Sequence, residues 1–361
     1  MGELMISEFR LVSSGLAFVF LALCHSVSAA RLVLVAGGGE KSGDAPALES
    51  KLNGPFGVDF DRSGNMFIIE MPGNRLCRID ISTATGNGEK GNSGDGRPAI
   101  KAQFNGPHSL AVLPNGDVLV ADTWNNRVRR IDAKSGAIST FAGTGEKGSS
   151  GDGGVAEKAQ FGGVYCVALN PEGDKLYLAD LDNRRIRSVD LRTAIVSTVA
   201  GNGKKGIPKD GSEARKAPLV DPRAVAADRK GNIYILERSG NTLRVVDAAG
   251  KIRTVVGTGE KGATGDGGDA LQATLNGPKH LCVDLQDNVI IADTENHIIR
   301  KYLPRDRKIV RVAGSGQRGT GGIGGPPEMA ELNQPHGVCV DRSGVLYISD
   351  SSNNRVLKLI E

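Results

Sequence analysis

Six residues occupy one equivalent place in six related segments of this 361-residue chain: Phe56, His108, Tyr165, Arg223, Lys279 and His336. The segments read LNGPFG from Leu52, FNGPHS from Phe104, FGGVYC from Phe161, LVDPRA from Leu219, LNGPKH from Leu275 and LNQPHG from Leu332. If equivalent places converge in space, two His, a Tyr, an Arg and a Lys meet at one spot. Those residue types suit an anion or a carboxylate, with Arg supplying a planar fork of donors and Lys a point charge. The imidazoles would add donors as pH falls towards their usual pKa of about 6.5, so affinity is expected to rise on mild acidification. The plainer account is a water-filled opening lined by whatever is soluble. His108 and His336 are also metal-ligand types, but a catalytic zinc usually takes three protein ligands and an open position.

What positions these residues is a set of short strands. In the segment from Phe104 to Asp132 the apolar runs are Ser109–Leu113 and Asp117–Ala121, joined by a Pro-Asn-Gly turn. A polar elbow, Asp122–Asn126, leads to a third run, Arg127–Ile131, and a fourth follows at Ala137–Ala142. Alternation of this kind, cut by Pro, Asn and Gly, predicts strands. The elbow acid recurs at Glu70, Asp122, Asp180, Glu237, Asp293 and Asp350, at separations of 52, 58, 57, 56 and 57 residues. Six four-stranded units of this length predict an all-β fold, a six-bladed β-propeller over 30–361. The sixth unit stops after its third run, Arg355–Ile360, and Leu32–Ala36 matches the missing fourth. The N-terminal strand is therefore expected to close the last blade and leave no unpaired edge. Blade 1 lacks five residues between its third and fourth runs, which predicts a truncated outer edge. Elbows and connectors are expected on one face, with the mouth of the axial channel.

At the level of motifs, the G-P-x-x-[LV] opening, the G-N-[LI]-Y-[IV]-x-D core and the N-x-R elbow resemble NHL repeats. The chain is also similar, more distantly, to the peptidyl-amidoglycolate lyase family, whose zinc-binding His residues open inner strands in Pro-His-[SG]-[LV] contexts. Pro107-His108-Ser109-Leu110 and Pro335-His336-Gly337-Val338 match that context. The resemblance implies zinc, or another divalent metal, on His108 and His336. The third alternate blade carries Arg223, however, a cation that would repel a metal, and no cofactor is the first expectation.

Other recurring residues have structural readings. Arg129, Arg187, Arg244 and Arg300 stand seven residues after the elbow acid in four blades, where each can pair with a nearby acid or carbonyl. The Gly-Asp-Gly connectors at Asp95, Asp152 and Asp266 lack the alternating oxygen ligands of a calcium loop and read as turns. No nucleophile–base pair emerges from spacing, and no Gly-x-Gly opens a helix as a phosphate site requires.

Composition narrows the partners. The formal charge of +4 is too mild to imply nucleic acid. Leu16–Cys24 is too short to span a bilayer, and with Arg10 before it and Val27-Ser28-Ala29 after it, residues 1–29 read as a secretory signal peptide. Cys77, Cys166, Cys282 and Cys339 then remain; Cys282 and Cys339 occupy a position held elsewhere by Ala111, Ala168 and Ala226, so we expect Cys166, Cys282 and Cys339 to be buried, free thiols and no disulfides. The expectation is a secreted or periplasmic monomer that binds a protein partner or a small anionic ligand at the channel-mouth face. The alternative is a metal-assisted lyase or hydrolase in the channel.

Overall fold

The computed structural model describes residues 30–41, 45–79 and 84–361; the expected export signal, 1–29, lies outside them. Strands with apolar side chains on both faces must be covered on both, and six antiparallel sheets cover one another in a closed ring. Blade 2 runs outward from the axis as Ser109–Val112, Val118–Asp122, Arg127–Ile131 and Ala137–Ala142, and the other blades repeat it. The protein is thus the all-β six-bladed propeller that the repeat predicts, with no α-helix among the described residues.

The ring closes as expected. Arg31–Gly37 pairs antiparallel with Arg355–Ile360, from Arg31 opposite Ile360 to Gly37 opposite Arg355. Leu32 and Ala36 are fully buried there. Across the seam, a Cβ on Gly337 would overlap the carbonyl oxygen of Phe56, so glycine lets the last inner strand pack on the first. In blade 1 the outer strand is only Ala84–Thr85, against Leu76 and Cys77; residues 80–83, which precede it, lie outside the described residues.

The connectors differ from the expectation that they stay on the elbow face. They run down the outer edge of the following blade, where Gly96, Gly153, Gly211, Gly267 and Gly324 donate their N–H to the carbonyls of Ile138, Val196, Ile252, Ile309 and Leu32 at 2.7–2.8 Å. Arg97–Pro98 and Ser212–Glu213 form short fifth strands there. An outer strand is a sheet edge with unpaired backbone groups, and the connectors cover it.

The Gly-Asp-Gly acids and the recurring Arg prove to be halves of one device. Arg129, Arg187 and Arg300 are fully buried and reach Asp95, Asp152 and Asp266 at 2.6, 2.8 and 2.8 Å. Each also faces its own elbow acid, Asp122, Asp180 or Asp293, at 3.8, 3.4 and 3.5 Å. That acid accepts the N–H of the residue opening its inner strand: Asn105, Gly162 and Asn276 at 2.8, 2.7 and 2.8 Å. Arg244 pairs directly with Glu237 at 2.7 Å. The structural reading of these residues holds, and the partner in the connector is new. The four cysteines among the described residues are free. Cys166 is buried, whereas Cys282 and Cys339, expected to be buried, are half-buried on the channel wall.

Candidate functional site

The inner strands open with an irregularity that aims a side chain at the axis. Pro55 pairs with Glu70 and Gly57 with Ile69, leaving Phe56 out of the ladder. Tyr165 and Arg223 are left out in the same way. A bulged residue is freed from strand pairing and its side chain is redirected. His108, Lys279 and His336 each sit one residue before the ladder begins and donate their N–H to Ala121, Ala292 and Ser349, which already pair with the next residue along.

The six side chains do converge. The Phe56 ring stacks on His336 with centroids 4.0 Å apart and meets His108 edge-on at 5.2 Å. His108 leans on Tyr165 at 4.4 Å, and the Arg223 guanidinium lies over the Tyr165 ring at 3.8 Å. Lys279 closes the circle, close enough for its charge to act on both His108 and His336.

Their electrostatic state departs from the expectation in two respects. The Nδ1 atoms of His108 and His336 lie 2.7 and 2.9 Å from the carbonyl oxygens of Gly106 and Gln334. A carbonyl only accepts, so each Nδ1 carries the proton and each Nε2 keeps its lone pair. Burial, aided by Arg223, pushes the His108 pKa down to about 3, and burial with Lys279 holds His336 well below the usual imidazole value. The imidazoles are therefore neutral acceptors at physiological pH, and mild acidification adds no donors. Lys279 is also partly spent, because its Nζ pairs with Glu295 at 2.9 Å. Arg223 has no ion-pair partner among the described residues, and its guanidinium stays over the Tyr165 ring. Burial lowers its pKa to about 10, which leaves it charged.

Three mouth residues escape the opening-position pattern: Trp124, Glu295 and Arg238. All sit one or two residues after an elbow acid, so the same spacing argument applied to the elbows would have found them. Trp124 meets Tyr165 at 5.3 Å and His108 at 5.9 Å, is 47% exposed, and lies over Gly106, where any Cβ would displace it. Arg238 is exposed and its charge reaches Arg223, Lys279 and Glu295.

A metal fits this arrangement poorly. His108 and His336 both pack on Phe56, and among the described residues no three His, Cys, Asp or Glu side chains converge as a metal-holding group.

Below the mouth, the inner strands enclose a cavity of about 520 Å³ opening towards the short turns. At one level its wall is Ala111, Ala168 and Ala226 on one side and Asp59, Cys282 and Cys339 on the other. Asp59 Oδ2 accepts the Val112 N–H at 2.7 Å, tying blade 1 to blade 2. It lines the wall of this cavity, and burial pushes its pKa up to about 6.

Comparison with known proteins agrees with this architecture. The NHL repeat model matches residues 104–131 and 332–359, and the Teneurin NHL domain model matches 190–264. NHL repeat-containing protein 2 of Gallus gallus is 25% identical over 338 residues, 84% of this chain and 46% of its own length. The chain spans less than half the length of such curated relatives. An auxiliary nutrient binding protein from Bacteroides thetaiotaomicron superposes with a TM-score of 0.64 at 14% identity, over 92% of this chain and 76% of that one. Virginiamycin B lyase from Staphylococcus aureus does so with 0.54 at 13% identity, over 92% and 99%. Those two structures speak for the fold alone. The chain is thus a six-bladed β-propeller that carries NHL repeats at residues 104–131 and 332–359.

Proposed function

We propose that the protein is an exported binding module that takes a small organic carboxylate at the channel mouth. The observation that carries this reading is Arg223: a charged guanidinium held over Tyr165, in a mouth walled by Phe56 and Trp124. Its free donors suit a carboxylate. The Nε2 lone pairs of His108 and His336 suit a hydroxyl or amine N–H on the same ligand. Aromatic walls with a few convergent polar groups are the usual make-up of a small-molecule site. The nutrient binding neighbour from Bacteroides thetaiotaomicron is in keeping with such a role, as is the apolar run Leu16–Cys24, which reads as an export signal. No helix among the described residues is long and apolar enough to cross a membrane.

Trp124 is the single tryptophan of the chain, so tryptophan fluorescence, excited selectively over tyrosine, reports on the mouth alone. Titrating a panel of hydroxy- and amino-carboxylates should quench or shift that emission saturably. Arg223→Ala should weaken binding at least about tenfold, the loss expected for a charge-assisted hydrogen bond. If no carboxylate changes the emission, or Arg223→Ala binds equally well while folded, the mouth is a solvated pore. A metal-assisted lyase or hydrolase would instead require stoichiometric metal in the purified protein.

A further inference from the structure

A second cleft lies between blades 4 and 5 on the face opposite the elbows, with a volume of about 420 Å³. Its floor is Tyr234 and Tyr302, and its rim carries Lys230, Arg253, Arg305 and Arg307. Tyr302 breaks the repeat: its register partner is Val289, and the matching place in the other blades holds Ile79, Ile131, Val189, Val246 and Leu359. A core position that is aliphatic in five blades has become a phenol in the sixth. The residue is only 5% exposed, yet its hydroxyl makes no hydrogen bond among the described residues and opens on the cleft. The neighbouring Tyr234 hydroxyl, by contrast, donates to Asp228 Oδ2 at 3.3 Å.

The charges in the cleft do not cancel locally. Its three acids are already engaged: Asp210 by the backbone N–H and hydroxyl of Thr254, Asp228 by its own turn, and Asp287 by Arg229 at 3.0 Å. Of the cations, Arg253 reaches Asp247 only at 4.0 Å. Lys230, Arg305 and Arg307 have no carboxylate partner among the described residues. Arg253 and Arg307 are near enough for their charges to act on the Tyr302 hydroxyl. Lys230, Arg253, Arg305 and Arg307 outnumber the two carboxylates held only by neutral donors, Asp210 and Asp228, so the cleft is net positive, and its cations together with the Tyr302 hydroxyl can donate to a multivalent acceptor.

We infer that this cleft is a second binding site, for a tetrahedral dianion, the phosphate or sulfate group of a small molecule. In it Arg253, Arg305 and Arg307 supply the charge and the Tyr302 hydroxyl donates a hydrogen bond. The site is separate from the channel mouth and does not rest on the function proposed for it.

Calorimetric titration of the full chain at low ionic strength and mildly alkaline pH tests it, with inorganic phosphate, inorganic sulfate and acetate as probes. Phosphate or sulfate should bind and acetate should bind much more weakly, and the stronger of the two dianions identifies the group. Tyr302→Phe keeps the ring and should weaken the dianion about fivefold to tenfold, the range for one hydrogen bond. Arg305→Ala with Arg307→Ala, both at an exposed turn, should weaken it on the order of a hundredfold. Arg223→Ala should leave this binding unchanged. No dianion binding, acetate binding as tightly as the dianions, or full affinity in a folded Arg305→Ala/Arg307→Ala variant each overturns the proposal.

Discussion

Two charged belts recur with the blade period, and they behave in opposite ways. The outer belt repeats the same residue: Arg129, Arg187 and Arg300 are buried, and each meets an elbow acid and a connector acid. The inner belt at the channel mouth changes residue at every blade, from Phe56 through His108, Tyr165, Arg223 and Lys279 to His336. In the outer belt almost every charge has its partner inside the fold. In the inner belt Arg223 and two imidazole lone pairs face outward to the channel. Repetition marks what holds the blades together, and variation at a position outside the strand ladder marks what is free to meet a ligand.

Removing what both belts depend on should have the largest effect. Deleting residues 30–37 strips the outer strand from the last blade, exposes Arg355–Ile360 as an edge and uncovers the seam. Such a variant should aggregate or lose cooperative unfolding; a monomer of unchanged melting temperature would mean that the ring does not need its clasp.

Breaking the outer belt comes next. Arg300→Ala leaves Asp293 and Asp266 facing each other's neighbourhood without their buried cation, which should cost about 3–5 kcal/mol. Chemical denaturation would read it. Arg223→Ala, at the inner belt, should cost less than about 1 kcal/mol by the same assay, because no acid loses a partner. Equal losses for the two arginines would erase the distinction between the belts.

A third change concerns the cavity below the mouth. With the Asp59 pKa raised by burial from 3.8 to about 6, the folded state prefers the protonated carboxyl. That contribution is fully present below about pH 4 and is lost as pH rises through about 6, a difference of about 2–3 kcal/mol. Asp59→Asn keeps an acceptor for the Val112 N–H and removes the ionisation, so it should be more stable than the parent at pH 7 and equally stable near pH 4. Thermal melts across this range decide it, and a parent protein whose stability rises over the same interval would refute the assignment.

The smallest expected effect is a flat line. Since His108 stays neutral down to about pH 3, carboxylate affinity at the mouth should not change between about pH 8 and pH 6. A marked rise on acidification would mean that ligand binding protonates an imidazole.

Sequence by itself determined the blade count, the clasp of Leu32–Ala36, the truncated edge of blade 1 and the convergence of six opening residues. Each follows from the period, because equivalent positions in a closed ring must lie at equal depth, whatever residue fills them. Tertiary structure alone decided the state of those residues. Lys279 meets Glu295 from an elbow sixteen residues on, Arg129 meets Asp95 from the connector before its blade, and the two histidines donate Nδ1–H to carbonyls in their own turns. Tyr302 stands out as a phenol in an aliphatic column, but its unpartnered hydroxyl is visible only once blades 4 and 5 are side by side. A repeat specifies where side chains stand. Which charges are cancelled, which protons are held and which donors remain unpaired depend on burial and on contacts between segments far apart in the chain, and no periodicity encodes those.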